Sequence, residues 1–184
     1  MALNIPNSNR DDISFGPAVM YLGAAGATPT VDVGAISEDG VTVEITSEQR
    51  DIMQGNPRLI EMSFNQQQSV MVRVTSIEWN YDNMKYVLGG SISTSSTSER
   101  FSFGGEPCPS EVAIKIVHQM CRTGDTLNVY VWRAMGEGGL TIPFGQDEHS
   151  FELSFKAMRA TNDWAGNTLA ADAQLLQIHR ELAP

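Results

Sequence analysis

From Val41 to Glu48 the residues alternate, with Val41, Val43 and Ile45 on one side and Thr42, Glu44, Thr46 and Glu48 on the other. A period of two predicts a strand with one face on a core and one in water. Similar patterning recurs in RLIEMSF (58–64), SVMVRVTS (69–76), EVAIKIVHQM (111–120), TLNVYVWRAM (126–135) and SFELSFKAM (150–158). PAVMYLG (17–23) predicts a short early strand closed by the Gly/Ala-rich turn GAAGATPT. VDVGAISEDG (31–40) predicts a strand or extended loop running into an Asp39-Gly40 hairpin turn. QGNP (54–57) predicts a second turn.

The period changes after Thr75. Ile77, Tyr81, Met84 and Leu88 fall at helical spacing, and Thr75 with Glu78 fits a capping box. A helix is therefore expected over 76–88, with Gly89 as the left-handed residue that ends it. The Ser/Thr-rich run SISTSSTSER (91–100) is expected to be a loop of some length, and GEGGLTIPFG (136–145) a long glycine-containing loop. SFNQQQS (63–69) reads either as a polar loop or bulge suited to a hydrogen-bonded contact, or as a plain hairpin loop. The tail TLAADAQLLQIHREL (168–182) suits a helix or an edge strand equally. No period of 20 to 50 residues repeats, which excludes solenoids and propellers. The expected fold is mainly β, a sandwich or small barrel with one flanking helix and long loops. The polar first 15 residues are expected to form a flexible arm, and 16–184 one β domain.

Composition narrows the function. The 184 residues carry a formal net charge of −10. That argues against a surface built to grip nucleic-acid phosphates, which takes Lys and Arg. No apolar run approaches a membrane span, and no basic-then-apolar leader is visible at the N-terminus. A reduced cytoplasmic setting is the simplest expectation for two cysteines, Cys108 and Cys121, whose spacing matches no zinc pattern.

Signatures of catalysis are missing too: no G-x-S-x-G, no phosphate-binding P-loop, no H-E-x-x-H. His118 with Cys108 and Cys121 is a conceivable metal set. However, His118 alternates with Ile114 and Ile116, which favours a packed or interface histidine. Asp147 and Glu148 are a conceivable carboxylate pair, but neighbours on a strand point apart, and a polar loop explains them better. His149 and His179 suit solvent or an interface. Trp79, Trp132 and Trp164, scattered in sequence, suit packing or subunit contacts. The chain is expected to be no enzyme and to need no cofactor or metal.

The strongest remaining signal is the polar face of Thr42, Glu44, Thr46 and Glu48. Such a face is either an ordinary solvated sheet surface or, if several copies close a ring, the wall of a water-filled channel. GPAVMYLGAAGATPTVDVGAISEDGVTVEITSEQRDIMQG, followed by SVMVRVTSIEWNYDNMKYVLGG, resembles the major tail tube proteins of long-tailed bacteriophages and related phage-like particles. The resemblance covers about residues 15–90. It implies a β-sandwich with a flanking helix that forms homo-hexameric rings. The rings stack around a tape measure protein, between a tail tip and a tail terminator. Double-stranded DNA passes through the lumen without specific binding. It also implies a place in the virion tail after synthesis in the host cytoplasm. Thr42, Glu44, Thr46 and Glu48 then become lumen candidates, whose carboxylates would repel phosphates over the Debye length of about 8 Å. Arg50, Asp51, Gln54, Asn56, Arg58, Gln66, Gln67, Glu99 and Arg100 become candidates for contacts between rings or neighbours. Two alternatives remain within the same architecture or particle, another virion β-module such as a tail terminator and a secretion-type tube protein. A cupin-type barrel would need converging histidines and carboxylates, and only three histidines occur.

Overall fold

The computed structural model of the chain describes residues 16–105, 110–144 and 149–183. The proposed N-terminal arm, Cys108, and the Asp147–Glu148 pair lie outside them. The described residues are mainly β, with one α-helix and an antiparallel main sheet. In chain order the strands are β1 (Val19–Ala24), β2 (Val31–Asp32), β3 (Ile36–Gln54), β4 (Leu59–Ser76), β5 (Ser91–Thr94), β6 (Glu99–Ser102), β7 (Glu111–Gln119), β8 (Thr126–Gly136), β9 (Phe151–Ala157) and β10 (Gln177–Glu181), with α1 (Tyr81–Leu88) between β4 and β5. The main sheet runs β2-β1-β7-β8-β9-β4-β3, and β10 pairs with the first half of β8. β5 and β6 form a separate hairpin.

The alternating residues do what their period requires. Met20 and Leu22, Val70, Val72 and Val74, Val112, Ile114 and Ile116, and Phe151, Leu153 and Phe155 meet in one apolar cluster that the sheet curls around. The curl brings the start of β1 beside the root of β3, with Gly16, Pro17 and Ala18 across a cleft from Ile36 to Val41. Helix α1 closes the core with Met84 and Val87. Its C-terminal turn lies so close to β8 that a Cβ on Gly136 would sit 1.9 Å from the Val87 carbonyl oxygen. Glycine is required there by space alone.

Several sequence expectations need correction. The helix starts five residues later than expected. Thr75 is held in β4 opposite Glu152, and Asn80 is the true cap, its side chain accepting from the Asp82 N–H at 2.8 Å. Glu78 turns instead to the Ala35 N–H at 3.1 Å. Gly89 does end the helix with positive φ, but its ψ of −159° is not left-handed helical. Asp39-Gly40 is no hairpin turn. β3 passes through it as a bulge, between the pairs Ile36–Ser76 and Val41–Val74. SISTSSTSER is not a long loop but most of the β5–β6 hairpin, turned by Ser95 and Ser98. The tail resolves to a short 3-10 turn (Ala171–Ala173) and then strand β10. Trp132 and Trp164, though distant in sequence, pack together as expected of packing residues: their rings lie 4.8 Å apart, and Tyr130 meets Trp164 edge-on.

Candidate functional site

The most unusual element is the β3–β4 hairpin. Its root belongs to the main sheet, where Val41 and Val43 pair with Val74 and Val72. Beyond that it leaves the body, and every residue from 44 to 68 is exposed. At about 3.4 Å per residue the limb beyond Ile45 projects roughly 30 Å. SFNQQQS is thus neither a loop nor a hairpin end but the middle of β4, with a bulge. Glu48 pairs with Gln67 and Gln49 with Asn65, so Gln66 is the extra residue. A second bulge sits between the pairs Ile52–Met62 and Met53–Ile60, at Glu61.

These bulges decide what each face carries. In sequence, Ile60, Met62 and Phe64 share parity with core residues Val70, Val72 and Val74. A regular strand would put all six on one side. A bulge at Gln66 reverses the phase, so Phe64 and Met62 join the face opposite the core, beside Arg50 and Ile52. The second bulge returns Ile60 to the other side, opposite Met53. The distal limb is therefore apolar on both faces. Leu59 is 67% exposed, Met62 59%, Ile60 58% and Phe64 43%. Monomeric proteins seldom leave so much contiguous apolar surface in water.

The four lumen candidates share one face, as their spacing required. Thr42 pairs with Arg73, Glu44 with Met71, Thr46 with Ser69 and Glu48 with Gln67. Sequence reading missed the cations on this face. Arg73 donates to Glu44 at 2.8 Å, and Lys156, opposite Met71 on β9, lies 3.6 Å from Glu137. Both were visible as residues, but only the strand order puts them beside Glu44. The face is thus mixed, with Glu44, Glu48 and Glu152 against Arg50, Arg73 and Lys156.

The contact candidates separate into two places. Arg50, Asp51, Gln54, Asn56, Arg58, Gln66 and Gln67 all lie on the limb, whereas Glu99 and Arg100 lie on β6. Asp51 accepts from Ser63 across the hairpin. His118 stands 3.0 Å from the Pro17 carbonyl through Nδ1, a contact between β7 and the start of β1. His149 packs edge-on to Trp79 and Phe144. His179 is exposed, 3.9 Å from Glu181. Among the described residues no three His, Cys, Asp or Glu side chains converge as metal ligands would.

One buried carboxylate holds the C-terminal strand. Asp125 accepts from the Ala183 N–H at 2.8 Å and from Arg180 Nε at 2.8 Å. These bonds, the backbone one first, keep its pKa below the ordinary aspartate range. Leu182 and Ile178 remain exposed beside them.

No family model and no curated protein matches the sequence. Among solved structures, the chain is partly similar to one described as the tail of an empty GTA particle, computed with helical refinement and C6 symmetry. The TM-score is 0.44 at 9% identity, over 84% of this chain and 96% of that one. A likeness of that size carries no statement about function or assembly.

Proposed function

We propose that the chain is a structural subunit of a phage-type tail tube. Six copies form a ring, rings stack around a tape measure protein, and the lumen conducts double-stranded DNA during infection. The observation that carries this reading is the β3–β4 limb, a long bulged hairpin exposed from residue 44 to residue 68 that shows apolar residues on both faces. Such a limb suits a partner, and repeated copies of the same chain supply one at every position. Support also comes from the sequence resemblance to tail tube proteins, which covers the limb itself. Thr42, Glu44, Thr46 and Glu48 would then line the lumen. With Arg50, Arg73 and Lys156 among them, the wall carries both signs of charge in near balance. DNA would slide past it because each cation stands among carboxylates, leaving no cluster of cations to hold the phosphates.

Negative-stain electron microscopy over a concentration series, with mass photometry alongside, tests the reading. Hollow tubes are the expected result, with or without an added tail-tip nucleus. Particles that stop at one ring would favour a tail terminator. Tubes that form but never contain DNA in the particle would favour a secretion-type tube. A monomer that stays inert with purified tail tips overturns the proposal.

A further inference from the structure

At the root of the limb lies an open groove of about 180 Å³. Its apolar lining is Ile45 and Val70 from the hairpin and Leu175 and Leu176 from the segment before β10; Asp172 and polar hairpin residues, Thr46 and Gln68 among them, complete it. The groove runs on into a second depression past Gln68 and Arg159. Arg159 is engaged with the Gln174 side chain at 2.8 Å, whereas Asp172 makes no ion pair among the described residues. The volume suits one aliphatic side chain, since an apolar cavity of about 150 Å³ holds a benzene-sized group.

We infer that this groove receives the limb tip of a second copy, with Leu59 or Ile60 seated between Leu175 and Leu176 and Arg58 meeting Asp172. The tip cannot reach its own groove, because the limb holds the two roughly 30 Å apart. Arg58 forms no ion pair among the described residues, so its charge is available to a neighbour. Pairing an exposed cation with an exposed carboxylate fixes register and suppresses wrong dockings. In a chain of net charge −10 it also places an attraction at the point of contact. Tip-in-groove contact is heterologous: each bound copy still presents one free tip and one free groove. Such contacts propagate, closing into rings or running on as filaments. The inference rests on the tube reading for its biological setting and names the surfaces that reading leaves open.

Cysteine trapping tests it. In full-length protein with Cys108 and Cys121 changed to serine, Leu59→Cys and Leu175→Cys are made separately, mixed and oxidised. The expected product is the mixed 59–175 disulfide, in excess over either homodimer. In parallel, Arg58→Asp and Asp172→Arg alone should each raise the concentration needed for assembly about tenfold or more, and the double swap should restore most of it. Tubes that form without the 59–175 crosslink overturn the tip-in-groove contact and leave the tube reading standing. Crosslinked chains that never close into rings support the contact and overturn the tube reading. Neither assembly nor crosslink overturns both.

Discussion

Replacing Met62 and Phe64 together with threonine separates a limb that serves assembly from one that serves the monomer. Threonine keeps strand propensity, so the hairpin itself should persist. Both side chains sit on the face opposite the core, on the part of β4 beyond its pairing with β9, with Met62 59% and Phe64 43% exposed. Together they leave roughly 200 Å² of apolar side chain in water, or on the order of 5 kcal/mol per copy at about 25 cal/mol per Å² if a partner covered it all. Contact surfaces realise only part of that, so a loss of about 2–3 kcal/mol is the working figure, equivalent to roughly thirty- to 150-fold in the assembly concentration. Monomer stability should move by no more than about 0.5 kcal/mol, because the positions are already solvated. Sedimentation against concentration reads the first quantity and urea unfolding of dilute monomer the second. The control is Gln49→Thr with Asn65→Thr, a polar cross-strand pair on the limb's other face. Assembly by the Met62/Phe64 variant at the wild-type concentration would refute the reasoning. So would equal damage from the control.

Glu44→Lys places a second cation beside Arg73, replacing an exposed ion pair worth at most about 1 kcal/mol. Tube yield should stay near wild type while DNA ejection from reconstituted particles slows; unchanged ejection would argue that Glu44 faces elsewhere. Gly136→Ala drives a methyl into the Val87 carbonyl, and thermal melting should show a loss of about 3 kcal/mol or more. A wild-type melting curve would mean that α1 packs elsewhere. Asp125→Asn removes the charge that holds Arg180, so hydrogen exchange across β10 should speed up while β7 is unchanged. Because the folded pKa of Asp125 is depressed, its contribution is complete above the ordinary aspartate value of about 4 and is lost as pH falls through the lowered folded value. Wild-type β10 should therefore loosen only in acid below about pH 4, and loosening already at pH 6 would contradict the assignment.

The core was legible because alternation is a local property. Val70, Val72 and Val74, and Phe151, Leu153 and Phe155, each declare a buried face with no knowledge of the partner strand. What escaped were features set by neighbours in space. Asp39-Gly40 has the chemistry of a hairpin turn, and Gly40 does take φ of 70°. Yet the chain continues forward there, because β4 supplies a partner on both sides of the bulge. Thr75 has the chemistry of a cap, but a sheet hydrogen-bonding partner on β9 claims it first and Asn80 inherits the role. Ser95 and Ser98 read as loop until their hydroxyls are seen to close a hairpin turn at 2.9 Å. Of the candidate site, the common face of Thr42, Glu44, Thr46 and Glu48 followed from spacing alone. The cations beside them needed the strand order.

The limb also explains why its own sequence misleads. Ile60, Met62 and Phe64 carry the parity of core residues, and an unbulged β4 would extend one apolar stripe along a single face. A hairpin of that kind could cover one surface, and its long bare edge would invite non-specific pairing. The bulges at Gln66 and Glu61 instead distribute the same residues over two faces, and a limb that is apolar on both sides is satisfied only inside a crevice. Glu48, Arg50, Asp51, Arg58 and Glu61 are interleaved with the apolar positions. Charges so placed oppose random strand stacking, where each would need a matching partner at every layer. Selectivity then comes from geometry: a complementary crevice can cover both apolar faces and pair the free arginines, whereas a second bare limb can do neither.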